Sequence, residues 1–441
     1  MIVLLCVTML FAGLALLHLR GAVLLFLFLF HAFPEAMAFG VGGEGFALTL
    51  QRLSLYALLI AWTVRVLLHS PDTMRGIRIL RSGRTVSLPL TALMGVAFVS
   101  TLIGSGFGIG AVSGFANLLL FSLFPLLLIV TTVRNEGDVV TVFLVLAAAA
   151  AFNEAFAFVE HALGRSPLHG VVDVAYRTHR DLDQLAGRFR GGEYRVMGSF
   201  TNPLKLVAFL CLSCPPLLFL AGERKGGLTT ILIGGTLVLL VPVLLWTQSR
   251  TGLALLVAAL WAWMVFRPRT GAAQRSRAAV FLASTSALAL LVMVFRTTLL
   301  RRAVLDAEAM QSFFMRLQQL TDGLGLLAGA SPLGYGMSRN ILDVVQLGSL
   351  DNCYLRVGLE TGAVGLMLYV LYWTGAWRLT GRIVKRAETL SGKRLAFALR
   401  LSLAIGLLLQ IAVSQLSSYL LLHALVGCAL VLESSARKSA G

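Results

Sequence analysis

Charge is what this chain has least of. Of its 441 residues only 13% are Asp, Glu, Lys or Arg, where a soluble globular domain carries roughly a quarter. That deficit excludes an ordinary water-soluble fold, and the abundance of apolar residues excludes a disordered chain. Acidic residues are the scarcest charges, 20 against 37 basic ones, for a net charge of +17. On a soluble protein such an excess would suggest nucleic acid. With so little polarity it reads as a membrane signature, because cytoplasmic loops collect Lys and Arg. Cysteine is also sparse, five residues mostly within apolar runs. Cys211 and Cys214 form a CxxC, but inside an apolar stretch with no second pair nearby. The spacing therefore argues for small residues packing in a membrane helix, not for a redox or zinc site. The first apolar run lacks the basic stretch of a cleavable signal peptide, and others follow it.

What is present is hydrophobic length. Hydrophobic residues make up 58% of the chain, and the mean hydropathy is +0.85. A helix needs about 20 apolar residues to cross a bilayer. Such runs recur at about 2–19, 21–39, 46–69, 86–104, 110–133, 138–161, 203–221, 227–247, 250–266, 277–296 and 354–377. A final stretch, 395–433, is too long for one span and predicts two, with a turn near Ser414–Ser418. The expected fold is all-α and polytopic, with about 12–13 transmembrane helices. Arg75, Arg78, Arg81 and Arg84 fill one short loop, Arg267, Arg269, Arg275 and Arg277 a second, and Arg378 to Arg394 a third. Arg224, Lys225, Arg437 and Lys438 mark two more segments. If the spans alternate, all five fall on one side, the cytoplasm. Two long loops then fall outside, giving the division 1–161, 162–202, 203–296, 297–350 and 351–441. Basic residues in them run against the topological bias and suggest an anionic ligand, although long loops also tolerate such charges.

Three motifs stand at the outer ends of these spans. Arg195-Val-Met-Gly-Ser-Phe-Thr-Asn202-Pro203 leads into one; Gln248-Ser-Arg250-Thr-Gly252 turns between two others. Ser331-Pro-Leu-Gly-Tyr335-Gly336 and then Asp351-Asn352, followed by Gly362 and Gly365, close the second long loop. Arg250 reads either as a snorkelling interfacial residue or as a fork of donors for phosphate oxygens. Asp351 alone reads as a helix N-cap. Gly358, Gly362 and Gly365 share a helix face and predict close packing. Glu154 lies near the outer end of a span, where an ionisable group is a functional candidate. The glycines from Gly104 to Gly110 follow no strand and predict an outer turn, not a nucleotide loop.

In order and placement these motifs resemble the bacterial O-antigen ligase and polysaccharide polymerase superfamily. The resemblance rests on Arg195, Gly198, Asn202 and Pro203; on Ser249 to Gly252; on Pro332 to Gly336; and on Asp351, Asn352, Gly362 and Gly365. It implies a metal-independent glycosyltransferase of the bacterial inner membrane, without a cofactor, whose site and two long loops are periplasmic. The implied donor is a glycan on undecaprenyl pyrophosphate, and the acceptor a glycan or lipid-linked glycan. Membrane lipid, a flippase and a chain-length regulator would be partners, and nucleic acid would not. Ligases that modify lipid A-core carry His where this chain has Asp351; an Asp-Asn pair is more frequent in polymerases, so the resemblance favours a polymerase, with the ligase as alternative. The reaction places Asp351 as base and Arg195, Arg250 and Arg316 on the pyrophosphate. It makes Asn202, Asn352, Tyr335 and Glu154 substrate-binding or orienting residues. A lipid-linked glycan flippase is the rival from another class. Transporters keep their sites near the bilayer midplane, whereas these polar residues gather at the outer ends of spans.

Overall fold

The structure is a computed structural model that describes residues 2–33, 38–40, 47–104, 108–167, 189–190, 193–200, 202–223, 227–269, 307–337, 350–413 and 419–439. It is an all-α polytopic membrane protein. The helices are α1 (Ile2–Leu17), α2 (Leu19–Ala32), α3 (Leu50–Leu67), α4 (Pro71–Ser82), α5 (Arg84–Gly104), α6 (Ile109–Leu118), α7 (Phe124–Thr132) and α8 (Glu136–Leu163). After them come α9 (Pro203–Glu223), α10 (Leu228–Trp246), α11 (Arg250–Phe266), α12 (Ala307–Gly329), α13 (Cys353–Arg386), α14 (Leu390–Leu409) and α15 (Leu420–Ser439). A π-helical turn, Leu119–Leu123, joins α6 to α7. Two short antiparallel pairs, β1 (Ala38–Gly40) with β2 (Ala47–Thr49) and β3 (Phe189–Arg190) with β4 (Glu193–Tyr194), are the strands among the described residues. Eight of the described helical stretches are long and apolar enough to cross a membrane. Thr8–Leu17, α2 and α11 are shorter apolar helices. The span expected at 277–296 and the turn expected at Ser414–Ser418 lie outside the described residues.

The chain forms two compact units. The first comprises Met1–Ser82, Phe124–Leu256 and Ala424–Gly441. Its axis is α8, against which α2, α9 and α10 pack. Ala147, Ala149, Ala150 and Ala157 are buried along α8, and such small side chains let helices approach where no water-driven term favours association. Asn135 caps α8, its Oδ1 accepting the Asp138 N–H at 3.0 Å, and Gly164 ends it in the left-handed region at φ 60°. Asp138 also accepts from Arg20 Nη2 at 2.5 Å and from the Arg134 N–H at 2.7 Å.

The basic stretch expected as a loop at 70–85 is largely the helix α4. Pro71 suits its first turn, and Thr73, Gly76 and Ile79 recur at three-residue spacing as its buried stripe against α7. A Cβ at Gly76 would stand 2.5 Å from Thr131 Cγ2. Arg75 Nη2 donates to the Val133 carbonyl at 2.7 Å, satisfying an orphan acceptor at the end of α7.

The second unit comprises Gly83–Leu123 and Val257–His423. Its axis is α13, packed on α5, α12 and α14. Gln410, after α14, accepts the Cys353 N–H at 2.8 Å through its carbonyl and the Tyr369 hydroxyl at 3.0 Å through Oε1. The basic segment 378–394 is mostly helical, because α13 continues to Arg386 and Thr389 caps α14 by accepting the Gly392 N–H at 2.9 Å. Within the long loop expected at 297–350, α12 forms over Ala307–Gly329.

Candidate functional site

In the second unit the site is built around a break in α13. Gly362 has φ 70° and ψ −174°, a region effectively restricted to glycine. The break uncouples carbonyls and N–H groups that a continuous helix would pair, and the Pro332–Gly336 element takes them up. Tyr335 N–H donates to the Leu359 carbonyl at 2.8 Å, Gly336 N–H to the Glu360 carbonyl at 3.1 Å, and Val364 N–H to the Pro332 carbonyl at 3.3 Å. Ser100 of α5 adds its hydroxyl, 2.5 Å from the Leu333 carbonyl and 2.7 Å from that of Glu360. A Cβ at Gly362 would overlap the Pro332 carbonyl, and one at Gly104 would overlap that of Tyr335. Gly362 is therefore not one of a row of packing glycines on a shared face. Gly358 behaves more as such, with an added Cβ 3.3 Å from the ends of Leu327.

This latch fixes the start of α13. Asn352 is the cap, its Oδ1 accepting the Leu355 N–H at 3.1 Å, so Asp351 stands one residue outside the helix and is not the N-cap. Asp351 is half-buried; burial pushes its carboxyl above the ordinary aspartate range, while Arg316 on α12 pulls it back down. Arg316 itself is exposed. Tyr335 places its hydroxyl on the Leu326 carbonyl at 3.1 Å and its ring against the cluster of Leu350, Leu355 and Leu359. Thus Asp351, Asn352, Arg316 and Tyr335 are brought together around one helix start. Arg356 Nε pairs with Glu360 Oε1 at 2.9 Å on the next turn.

The first unit holds Arg195, Asn202, Arg250 and Glu154, and joins two motifs separated by about fifty residues. Arg195 Nε donates to the Thr247 carbonyl at 3.1 Å, and Val196 N–H to the Trp246 carbonyl at 3.2 Å. Gln248 then turns through φ 54°. Ser249 Oγ accepts the Gly252 N–H at 3.2 Å, which starts α11 with Arg250 exposed in its first turn. An added Cβ at Gly252 would meet Val207 Cγ1 at 2.6 Å, so the glycine sets how closely α11 approaches α9. Asn202 Oδ1 accepts the Leu204 N–H at 2.8 Å and caps α9. Glu154 is fully buried on α8, and neither carboxyl oxygen has a hydrogen-bond partner among the described residues. Cys211 and Cys214 are buried free thiols of α9.

The sequence sets Glu160 at the membrane interface and leaves it out of the site, but it is fully buried and binds the Arg195 loop through both oxygens. Ser100 and Glu360 are not among the sequence candidates at all. Glu160 sits beside a histidine near a span end and looks interfacial; Ser100 is one hydroxyl in an apolar run. Nothing local announces either. Among the described residues no cluster of three His, Cys, Asp or Glu side chains could hold a metal ion.

Residues 235–370 match the family model described as O-antigen ligase. The matched stretch runs from α10 through Asp351 and the Gly362 break, and it supports the superfamily to which the motifs point, and with it a membrane glycosyltransferase of ligase or polymerase type. No curated protein matches the chain.

Proposed function

From the similarity of residues 235–370 to O-antigen ligases, we propose that the chain polymerises repeat units of a surface or exopolysaccharide. In this reading it works at the periplasmic face of the bacterial inner membrane and takes its donor glycan from undecaprenyl pyrophosphate. The observation that carries it is the place of Asp351: a half-buried carboxyl just outside the Asn352 cap, under the influence of Arg316, on a helix start beside the latch.

An acceptor sugar hydroxyl attacks the anomeric carbon of the donor. Its proton passes to Asp351, the carbon–oxygen bond to the pyrophosphate breaks, and the lipid pyrophosphate leaves with the bonding pair. A positioned base is worth typically about 10²–10⁴ in rate. Arg195, Arg250 and Arg316 are assigned to the leaving oxygens, where one lost donor costs about 10²–10³. Asn202, Asn352, Tyr335 and Glu154 are assigned to binding or orienting the sugars. No ATP is required, because the pyrophosphate linkage carries the driving force.

The test is the purified chain in lipid nanodiscs with a lipid-linked oligosaccharide. A product ladder spaced by one repeat unit is expected, reduced about a hundredfold or more by Asp351→Asn. Single transfer to lipid A-core would replace polymerase by ligase. Lipid-linked glycan crossing the bilayer with no new glycosidic bond would overturn the enzyme reading in favour of a flippase.

A further inference from the structure

The segment that follows Arg195 is held from outside itself at four consecutive residues. Val196, Met197, Ser199 and Phe200 are buried, and a buried N–H left unpaired is costly. Four consecutive N–H groups find acceptors on other elements. Val196 donates to the Trp246 carbonyl at 3.2 Å. Met197 and Gly198 both donate to Glu160 Oε2, at 2.9 and 2.8 Å. Ser199 donates to Asn153 Oδ1 at 3.1 Å. The other oxygen of Glu160 accepts the Tyr194 hydroxyl at 2.5 Å, so the carboxylate grips the segment on both sides of Arg195.

Asn153, two turns before Glu160 on α8, is anchored in its turn. Its amide donates to the His31 carbonyl at 2.6 Å and the Ala149 carbonyl at 2.9 Å. Gly198 passes over it at φ 62°, and an added Cβ there would stand 2.9 Å from Asn153 Oδ1. Asn153 and Glu160 share the buried face of α8 and are both fully buried. Two polar side chains on one rigid helix thus read out the backbone of an irregular segment.

We propose that Glu160, with Asn153, is a positioning residue for Arg195, holding its guanidinium where it receives the pyrophosphate of the lipid-linked donor. This rests on the function proposed above. Glu160 does not touch donor or acceptor; it acts through Arg195, and its chemistry is acceptance of hydrogen bonds.

The test has two arms. Amide hydrogen exchange at residues 196–199 reads the clamp without any turnover. Glu160→Leu should speed exchange there by tenfold or more, and Glu160→Gln, whose remaining oxygen can accept both N–H groups while its amide faces Tyr194, should recover most of the protection. Unchanged exchange in Glu160→Leu would overturn the clamp. The second arm is a double-mutant cycle on the KM for lipid-linked donor. Glu160→Leu should raise donor KM about tenfold in the native background and have little further effect in Arg195→Ala, with acceptor KM unchanged. Equal effects in both backgrounds, or a fall in maximal rate at constant donor KM, would show a merely structural residue and overturn the positioning role. If Glu160→Leu does not accumulate in the membrane, Asn153→Ala with Ser199→Ala carries the same cycle. A native chain that makes no glycosidic product would overturn the proposed function, while the exchange arm still decides whether the clamp exists.

Discussion

Asp351 and Glu154 are both acids withdrawn from water, and they differ in what surrounds them. Asp351 is raised by burial and lowered by Arg316. A base must be ionised, so turnover should fall as pH drops through this raised pKa. Arg316→Gln removes the lowering influence, and the acidic limb of the pH–rate profile should move to higher pH. A limb that stays in place or moves down would remove Arg316 from the site. For stability the sign reverses. The folded chain holds this proton more tightly than the unfolded one, so the contribution is present below the unfolded pKa and is lost as pH rises through the folded one. Because Asn352 supplies the cap, Asp351→Asn tests proton acceptance without touching helix initiation. Glu154 has no partner for either oxygen among the described residues. Leaving such a group buried costs about 1–3 kcal/mol, so Glu154→Leu should raise the melting temperature of the detergent-solubilised protein. If Glu154 orients substrate, the same variant should lose turnover. A more stable variant of native activity would make the carboxyl dispensable.

At the scale of elements, the Gly362 break and the Pro332–Gly336 strap are one device. Gly362→Ala forces a Cβ into a backbone region worth about 1–3 kcal/mol of strain and against the Pro332 carbonyl. Thermal unfolding should show a loss of about 2 kcal/mol or more, with turnover falling as Asp351 is released. Gly358→Ala, which meets the flexible ends of Leu327 and Leu366, should cost clearly less. Equal losses would mean that packing, not the break, is what Gly362 serves. The position of Gly362 could be read in the sequence, but its role could not. A helical pattern places Gly358, Gly362 and Gly365 on one face, and only tertiary hydrogen bonds reveal that the helix stops being one. Spans were legible for the opposite reason: apolar length is a local property, and α10, Leu228–Trp246, fills the apolar run expected at 227–247. Amphipathic α4 reads as a loop in the sequence, because its charge masks a buried stripe that exists only against α7; α12, largely exposed along its described side chains, offers no continuous apolar run to mark it. Glu160 was illegible as a clamp, since its partners lie more than thirty residues away.

For the whole molecule the question is which face of the membrane carries the latch, and the second unit supplies a prediction. From Gly362 to Arg386, α13 rises about 36 Å at 1.5 Å per residue, enough to cross a hydrocarbon core of about 30 Å. If this part of α13 spans the bilayer, the latch at Gly362 and the basic end of α13 belong to opposite faces. Lys385, Arg386, Lys393 and Arg394 flank the short connection from α13 to α14, where a surplus of Lys and Arg marks the cytoplasm. On that basis Pro332–Gly336, bound to the backbone on either side of Gly362, is predicted to face away from the cytoplasm. Ser331 is exposed at the edge of the strap and makes a suitable reporter. In a chain with its native cysteines replaced, Ser331→Cys should react with a membrane-impermeant thiol reagent in intact spheroplasts. Glu388→Cys, between the basic clusters, should react only after lysis. The reversed pattern would put the strap in the cytoplasm, away from any donor displayed on the outer leaflet. It would remove the basis for assigning Asp351 to transfer from undecaprenyl pyrophosphate at that face.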